Sequence, residues 1–168
     1  KNITDVVKNL FKEIPDIRIG IIAHGDYCDE KQTYLMKQID LTTEHDKIIN
    51  FINNVEDTGG GDYPEAYEYV LNKAQLLSWN SDSLRALVMI GDSVPHDINN
   101  NPYKLDWRKE IEEIAKMGIN IYSVQALYSG NSESYTFYKQ MAIKTNGYHL
   151  FLDQFSYITD AFISICLK

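Results

Sequence analysis

Runs of apolar residues alternate along the chain with apolar stripes. From Asn2 to Ile14 the positions Ile3, Val6, Val7, Leu10 and Phe11 recur at helical spacing, and Pro15 ends the pattern. Ile17–Ala23 (IRIGIIA) is a short, nearly continuous apolar run, which predicts a strand buried on both faces. Thr33–Leu41 alternates imperfectly through Tyr34, Met36, Ile39 and Leu41 and predicts a weaker, edge strand. Glu44–Val55 carries a helix face of Ile48, Ile49, Ile52 and Val55, and Thr58-Gly59-Gly60-Gly61 is a loop. The next helix is expected to open with Asp62 as N-cap, Pro64 in the first turn and Glu65 completing a capping box. Its buried face is then Ala66, Val70, Ala74 and Leu77.

Leu84–Ile90 (LRALVMI) predicts a further buried strand, closed by Gly91-Asp92. An Asn-rich loop, Asn99–Asn101, ends at Pro102. Ile111, Ile114, Ala115 and Met117 then mark a helix that Gly118 stops. Ile119–Leu127 is a strand, Ser134–Thr145 a helix and Tyr148–Leu152 a short last strand, with a final helix on Ile158, Ala161, Phe162 and Ile165. Apolar strands alternating with helices predict a three-layer, doubly wound α/β fold, its mainly parallel sheet flanked by helices. No linker or repeat divides the chain, so residues 1–168 read as one domain.

Composition narrows the function classes. Hydrophobic residues make up 44%, enough for a core and too many for a disordered chain. A net charge of −8 excludes a nucleic-acid backbone as the natural partner and suits cations or basic surfaces. No apolar run approaches the roughly 20 residues of a membrane span, which predicts no membrane insertion. No signal peptide is visible, and a chain opening at Lys1 reads as a processed or excised piece. Cys28 and Cys166 have no metal-ligand spacing; each is expected to be a small buried hydrophobe, and together they favour a reducing, cytoplasmic compartment. Asn2-Ile3-Thr4 is a glycosylation sequon of a kind that arises often by chance.

Ligands of a parallel sheet bind beyond the carboxyl ends of its strands. Two loops there are unusual: Thr58-Gly59-Gly60-Gly61-Asp62-Tyr63-Pro64-Glu65, and Ile90-Gly91-Asp92-Ser93-Val94-Pro95-His96 straight after a buried strand. TGGGDYPEAYEYVL followed by LRALVMIGDSVPHD resembles the second and third metal-site loops of von Willebrand factor A-type (vWA) domains. RIGIIAHGDYCD resembles the strand after the first helix of that family. The likeness runs from Asn2 to the end of the chain and is to intracellular vWA domains, including those joined to alpha-type protein kinases.

The resemblance implies a Rossmann-like fold and a metal-ion-dependent adhesion site. In the family, three loops hold a magnesium ion and an acidic residue of a partner protein completes the shell. Thr58 matches the second-loop threonine and Asp92 the third-loop aspartate, so Mg²⁺ or Mn²⁺ is the implied cofactor, and another protein the implied partner. The departure is at the first loop. No Asp-x-Ser-x-Ser lies upstream of Thr58, and Asp82-Ser83 falls in the wrong place. The resemblance therefore implies that the first, central strand is missing from residues 1–168, splitting the sheet between Ile17–Ala23 and Leu84–Ile90.

Other residues around these loops carry plainer readings beside the functional ones. Asp26, Asp62, Tyr63 and His96 are candidate rim or partner contacts, although Asp62 and Glu65 also suit helix caps and His96 a loop hydrogen bond. Three other functions compete. Gly91-Asp92-Ser93 matches the opening of some serine esterases, but no histidine has an aspartate three residues before it and Gly-x-Ser-x-Gly is absent. Nucleotide binding is disfavoured because Asp62, not a lysine, follows the three glycines. The serious rival is a structural vWA scaffold whose metal site no longer works. The reading is a protein-binding module and not an enzyme.

Overall fold

In the computed structural model the described residues are 2–59, 63–127, 132–155 and 157–166. Helix α1 (Asn2–Glu13) leads into strand β1 (Ile19–His24), a 3-10 turn at Tyr27–Asp29, and strand β2 (Met36–Thr42). Helices α2 (His45–Asn54) and α3 (Tyr67–Ala74) precede strand β3 (Ala86–Gly91). Helix α4 (Trp107–Lys116), strand β4 (Asn120–Gln125), helix α5 (Ser132–Lys144), strand β5 (His149–Phe151) and helix α6 (Tyr157–Cys166) complete the order. Gly118, at φ 73°, stops α4 as the sequence predicts.

The fold is α/β, with a three-stranded parallel sheet in the order β3-β4-β5. Strands β1 and β2 form a second, antiparallel pair, which makes Met36–Thr42 the edge strand expected of it. Period-2 alternation sends β3 side chains to two cores. Met89 and Leu87 join Ile121, Tyr67, Leu71, Ile111 and Tyr138 under α3, α4 and α5, and Ile22 of β1 packs on the same cluster. Val88 and Ile90 face the other way, toward Val124, Ile158 and Val6 under α1 and α6. Two helical layers therefore enclose the strands.

Several expectations change. A single continuous sheet is not formed among the described residues: β1 pairs only with β2, and β3 only with β4. The expected double burial of Ile17–Ala23 fails for the same reason, since every residue of β1 is half-exposed. In β3 only Met89 is buried. Strand β4, with a neighbour on each side, is buried from Ile121 to Gln125.

Helix α3 starts at Tyr67, with Ala66 at its N-cap and no side-chain cap. Pro64, in a cis peptide with Tyr63, and Glu65 precede it. Glu65 instead bridges Pro95, its N–H donating to the Val94 carbonyl at 2.9 Å, so tertiary pairing takes the segment that the capping box claims for the helix. Asp62 lies outside the described residues. Cys28 is exposed rather than buried, because the turn Tyr27–Asp29 turns Asp29 inward and leaves Cys28 outside. The reading of the Cys166 side chain falls outside the described residues.

Candidate functional site

Of the loops singled out by sequence, one follows β3 directly and the other follows α2 and brings Thr58 to the carboxyl end of β1. Directly after β1, Gly25 has no room for a side chain. A Cβ there would stand 2.8 Å from the Asp29 carboxylate, 2.9 Å from the Tyr34 carbonyl and 3.0 Å from Cβ of Thr58. That close approach seats half-buried Thr58 against the end of β1. Gly91 ends β3, and a Cβ on it would collide with the hydroxyls of Tyr67 and Tyr138. Asp92, the next residue, is exposed, whereas Ser93 to His96 are buried.

The first turn of α3 holds the loop after β3. The Tyr67 hydroxyl accepts from the backbone N–H groups of Asp92 and Ser93, each at 3.2 Å. Its ring stacks on Phe137 and meets the His24 ring edge-on at 5.2 Å. Glu68 is fully buried. One of its carboxylate oxygens accepts from the His96 backbone N–H at 2.9 Å, the other from the Tyr27 hydroxyl at 2.7 Å. His96 Nε2 pairs with Asp26 Oδ1 at 2.7 Å, and the Asp26 N–H donates to Asp29 at 2.8 Å. The Cys28 thiol reaches the other Asp26 oxygen at 3.7 Å. Three segments distant in sequence are thus clasped by one buried polar network.

Burial sets the ionisation in this network. It pushes Glu68 up from the ordinary carboxylate range, while its bonds from Tyr27 and His96 pull the other way. Burial, with the Glu68 carboxylate at its hydroxyl, raises Tyr27. Burial lowers His24, opposed by the Gly25 carbonyl and by the negative charges of Asp26 and Asp92. The Tyr67 ring against His24, with its hydroxyl on the Asp92 and Ser93 N–H groups, places the end of β1 beside the loop after β3.

Of the residues expected at the site, Thr58 and Asp92 lie past the ends of β1 and β3 respectively, linked through Gly25, His24 and Tyr67. Asp26 and His96 come together, but with each other; both are buried and neither is open to a partner. His96 takes the loop hydrogen-bonding role. Tyr63 is half open to solvent, at 52% exposure. Among the described residues no three His, Cys, Asp or Glu side chains converge into a set able to hold a metal ion. One carboxylate and one hydroxyl are two of the roughly six oxygens Mg²⁺ requires, so these residues alone do not fit the ion.

Sequence reasoning missed Glu68 and the structural use of Tyr67. Helical spacing marks which face points inward, and no local signal says that a glutamate on that face meets donors 41 and 28 residues away. The Ser93 hydroxyl is buried and has no hydrogen-bond partner among the described residues, His96 included. A serine without a base is a poor nucleophile, and the esterase alternative gains nothing from the geometry.

No family model matches the chain. A curated relative, "Putative ariadne-like RING finger protein R811" of Acanthamoeba polyphaga mimivirus, is 25% identical over 166 residues, covering 90% of this chain. The chain spans only 15% of that protein's length. Among solved structures, the conserved hypothetical protein BatB from Bacteroides thetaiotaomicron superposes with a TM-score of 0.63 at 13% identity, covering 97% of this chain and 84% of that one. An aerotolerance-related membrane protein from Bacteroides fragilis NCTC 9343, carrying multiple mutations to serines, gives 0.66 at 14% identity, with 95% and 83% coverage. These similarities establish a shared α/β fold. Among the described residues no helix is long and apolar enough to cross a membrane.

Proposed function

We propose that the chain is the body of a vWA-type domain that binds another protein through the loops at the carboxyl ends of β1 and β3. One observation carries the reading. The loop that resembles the family's third metal-site loop follows β3, the loop that resembles its second follows α2 and seats Thr58 against the end of β1, and β1 and β3 each have a neighbour on one side alone among the described residues. Half-exposed apolar side chains along β1 and β3 support a further parallel strand between them, contributed from outside residues 1–168. The loop after such a strand would sit beside Thr58 and Asp92 and supply the oxygens they lack. An acidic residue of the partner would complete an Mg²⁺ or Mn²⁺ site, and no reaction is assigned to the module.

The metal-free scaffold is the second reading, favoured by the lack of a converging ligand set among the described residues. Calorimetric titration of the full-length protein with Mg²⁺, with and without Asp92→Ala, separates the two. The metal-bridged reading expects measurable Mg²⁺ binding, its loss in Asp92→Ala, and a parallel loss of partner binding in EDTA. Partner binding indifferent to chelation and to Asp92→Ala would leave the scaffold.

A further inference from the structure

A shallow, open groove lies away from these loops, between β2 and α2. Lys37 and Ile39 of β2 and Lys47, Asn50, Phe51, Asn54 and Val55 of the α2 segment line a groove of about 360 Å³. Its lining carries two lysines and no acid, in a chain with 24 acidic and 16 basic side chains. Phe51, Val55 and Ile39, each half-buried, form an apolar floor. Independently, β2 pairs with β1 along one edge and with no strand along the other among the described residues.

We infer that β2 and this groove form a docking surface for an extended acidic segment of a partner protein, added as a strand to the open edge of β2. Strand addition supplies backbone hydrogen bonds, and alternate side chains of the added strand fall on one face. Lys37 and Ile39 are two residues apart and share the groove-facing side of β2, so every second side chain of the added strand enters the groove. Carboxylates there meet Lys37 and Lys47, and small apolar groups meet Phe51 and Val55. Both lysines are available. Lys47 holds Glu44 at 2.7 Å, with both side chains well exposed, and such pairs are readily exchanged for another carboxylate. The Lys37 ammonium lies 4.7 Å over the Tyr34 ring, and the residue is exposed. Charge also chooses among occupants. A second copy pairing through the same edge would bring the lysines of one groove toward those of the other, the arrangement by which edge strands avoid self-association.

The test uses the full-length protein and a short blocked peptide alternating glutamate and valine. Titration followed by NMR should shift amides of β2 and α2 selectively, and binding should weaken as salt is raised. K37E/K47E should weaken it about tenfold or more, as should N-methylation of alternate peptide amides, which removes strand pairing but no charge. Asp92→Ala and EDTA should leave it unchanged, so failure here is separable from failure of the metal-face reading. Equal binding of the N-methylated peptide, or of a lysine–valine peptide, would overturn the proposal. So would a concentration-dependent dimer abolished by K37E/K47E, which would make a second copy the occupant. The N-methyl comparison needs no variant and stands even if K37E/K47E folds poorly.

Discussion

At the scale of single residues, the strongest commitments are buried and polar. Asp26 is 2% exposed and His96 9% exposed, and they meet at 2.7 Å. Removing one member leaves the other desolvated and unpaired, which costs more than the bond itself contributes. Asp26→Ala should therefore lower stability by roughly 2–3 kcal/mol in urea unfolding. Combined with His96→Ala it should cost clearly less than the sum of the single changes, because the two share one interaction. Additive losses would show that the pair is not coupled. The sequence suggests a loop hydrogen bond for His96 but not its partner. Asp26 and His96 stand out locally, each on an unusual loop, but their pairing depends on how β1 and β3 are brought side by side. Thr58 and Asp92 stand out in the sequence through the glycine-rich and strand-closing motifs around them, but such motifs record local backbone demands, and the metal role of the two residues is a proposal.

At the scale of elements, periodicity located every strand and helix to within a few residues, with the start of α3 as the instructive miss. There the capping pattern predicts helix from Asp62, yet Glu65 pairs with Pro95 first, and local propensity yields to a long-range backbone bond. The burial of strands was misread for a related reason. The apolar run Ile17–Ala23 encodes a strand covered on both faces, but coverage depends on neighbours, and β1 has one among the described residues. Amide hydrogen exchange on residues 1–168 reads this directly. Amides of β4, held on both sides, should exchange slowest. In β3 only alternate amides point toward β4, so protection should alternate residue by residue despite its apolar sequence. Uniform protection across β3 would show that its open edge is covered in solution.

For the whole molecule, the balance lies between two well-packed cores and the open edges of β1 and β3. The core under α3, α4 and α5 buries Tyr67, Leu71, Ile111, Ile114, Ile121, Phe137, Tyr138 and Met141 almost completely. That favours a compact state with native helices. Against it, among the described residues β1 and β3 each have one edge that no strand pairs with, flanked by half-exposed isoleucine, leucine and valine. Such edges recruit other strands, and each backbone group buried without a partner costs roughly 1–3 kcal/mol. A domain's entire stability is about 5–15 kcal/mol, so a handful of these groups is decisive. Residues 1–168 expressed alone should therefore give a broad thermal transition, or one whose midpoint rises with protein concentration as chains pair through the open edges. The full-length protein should melt cooperatively and independently of concentration if it supplies the missing strand. Circular dichroism melts across a range of concentrations, with sedimentation to fix the oligomeric state, decide the matter. A sharp, concentration-independent transition in monomeric 1–168 would mean that β1 and β3 need no strand between them, and the proposed completion of the sheet would fall with it.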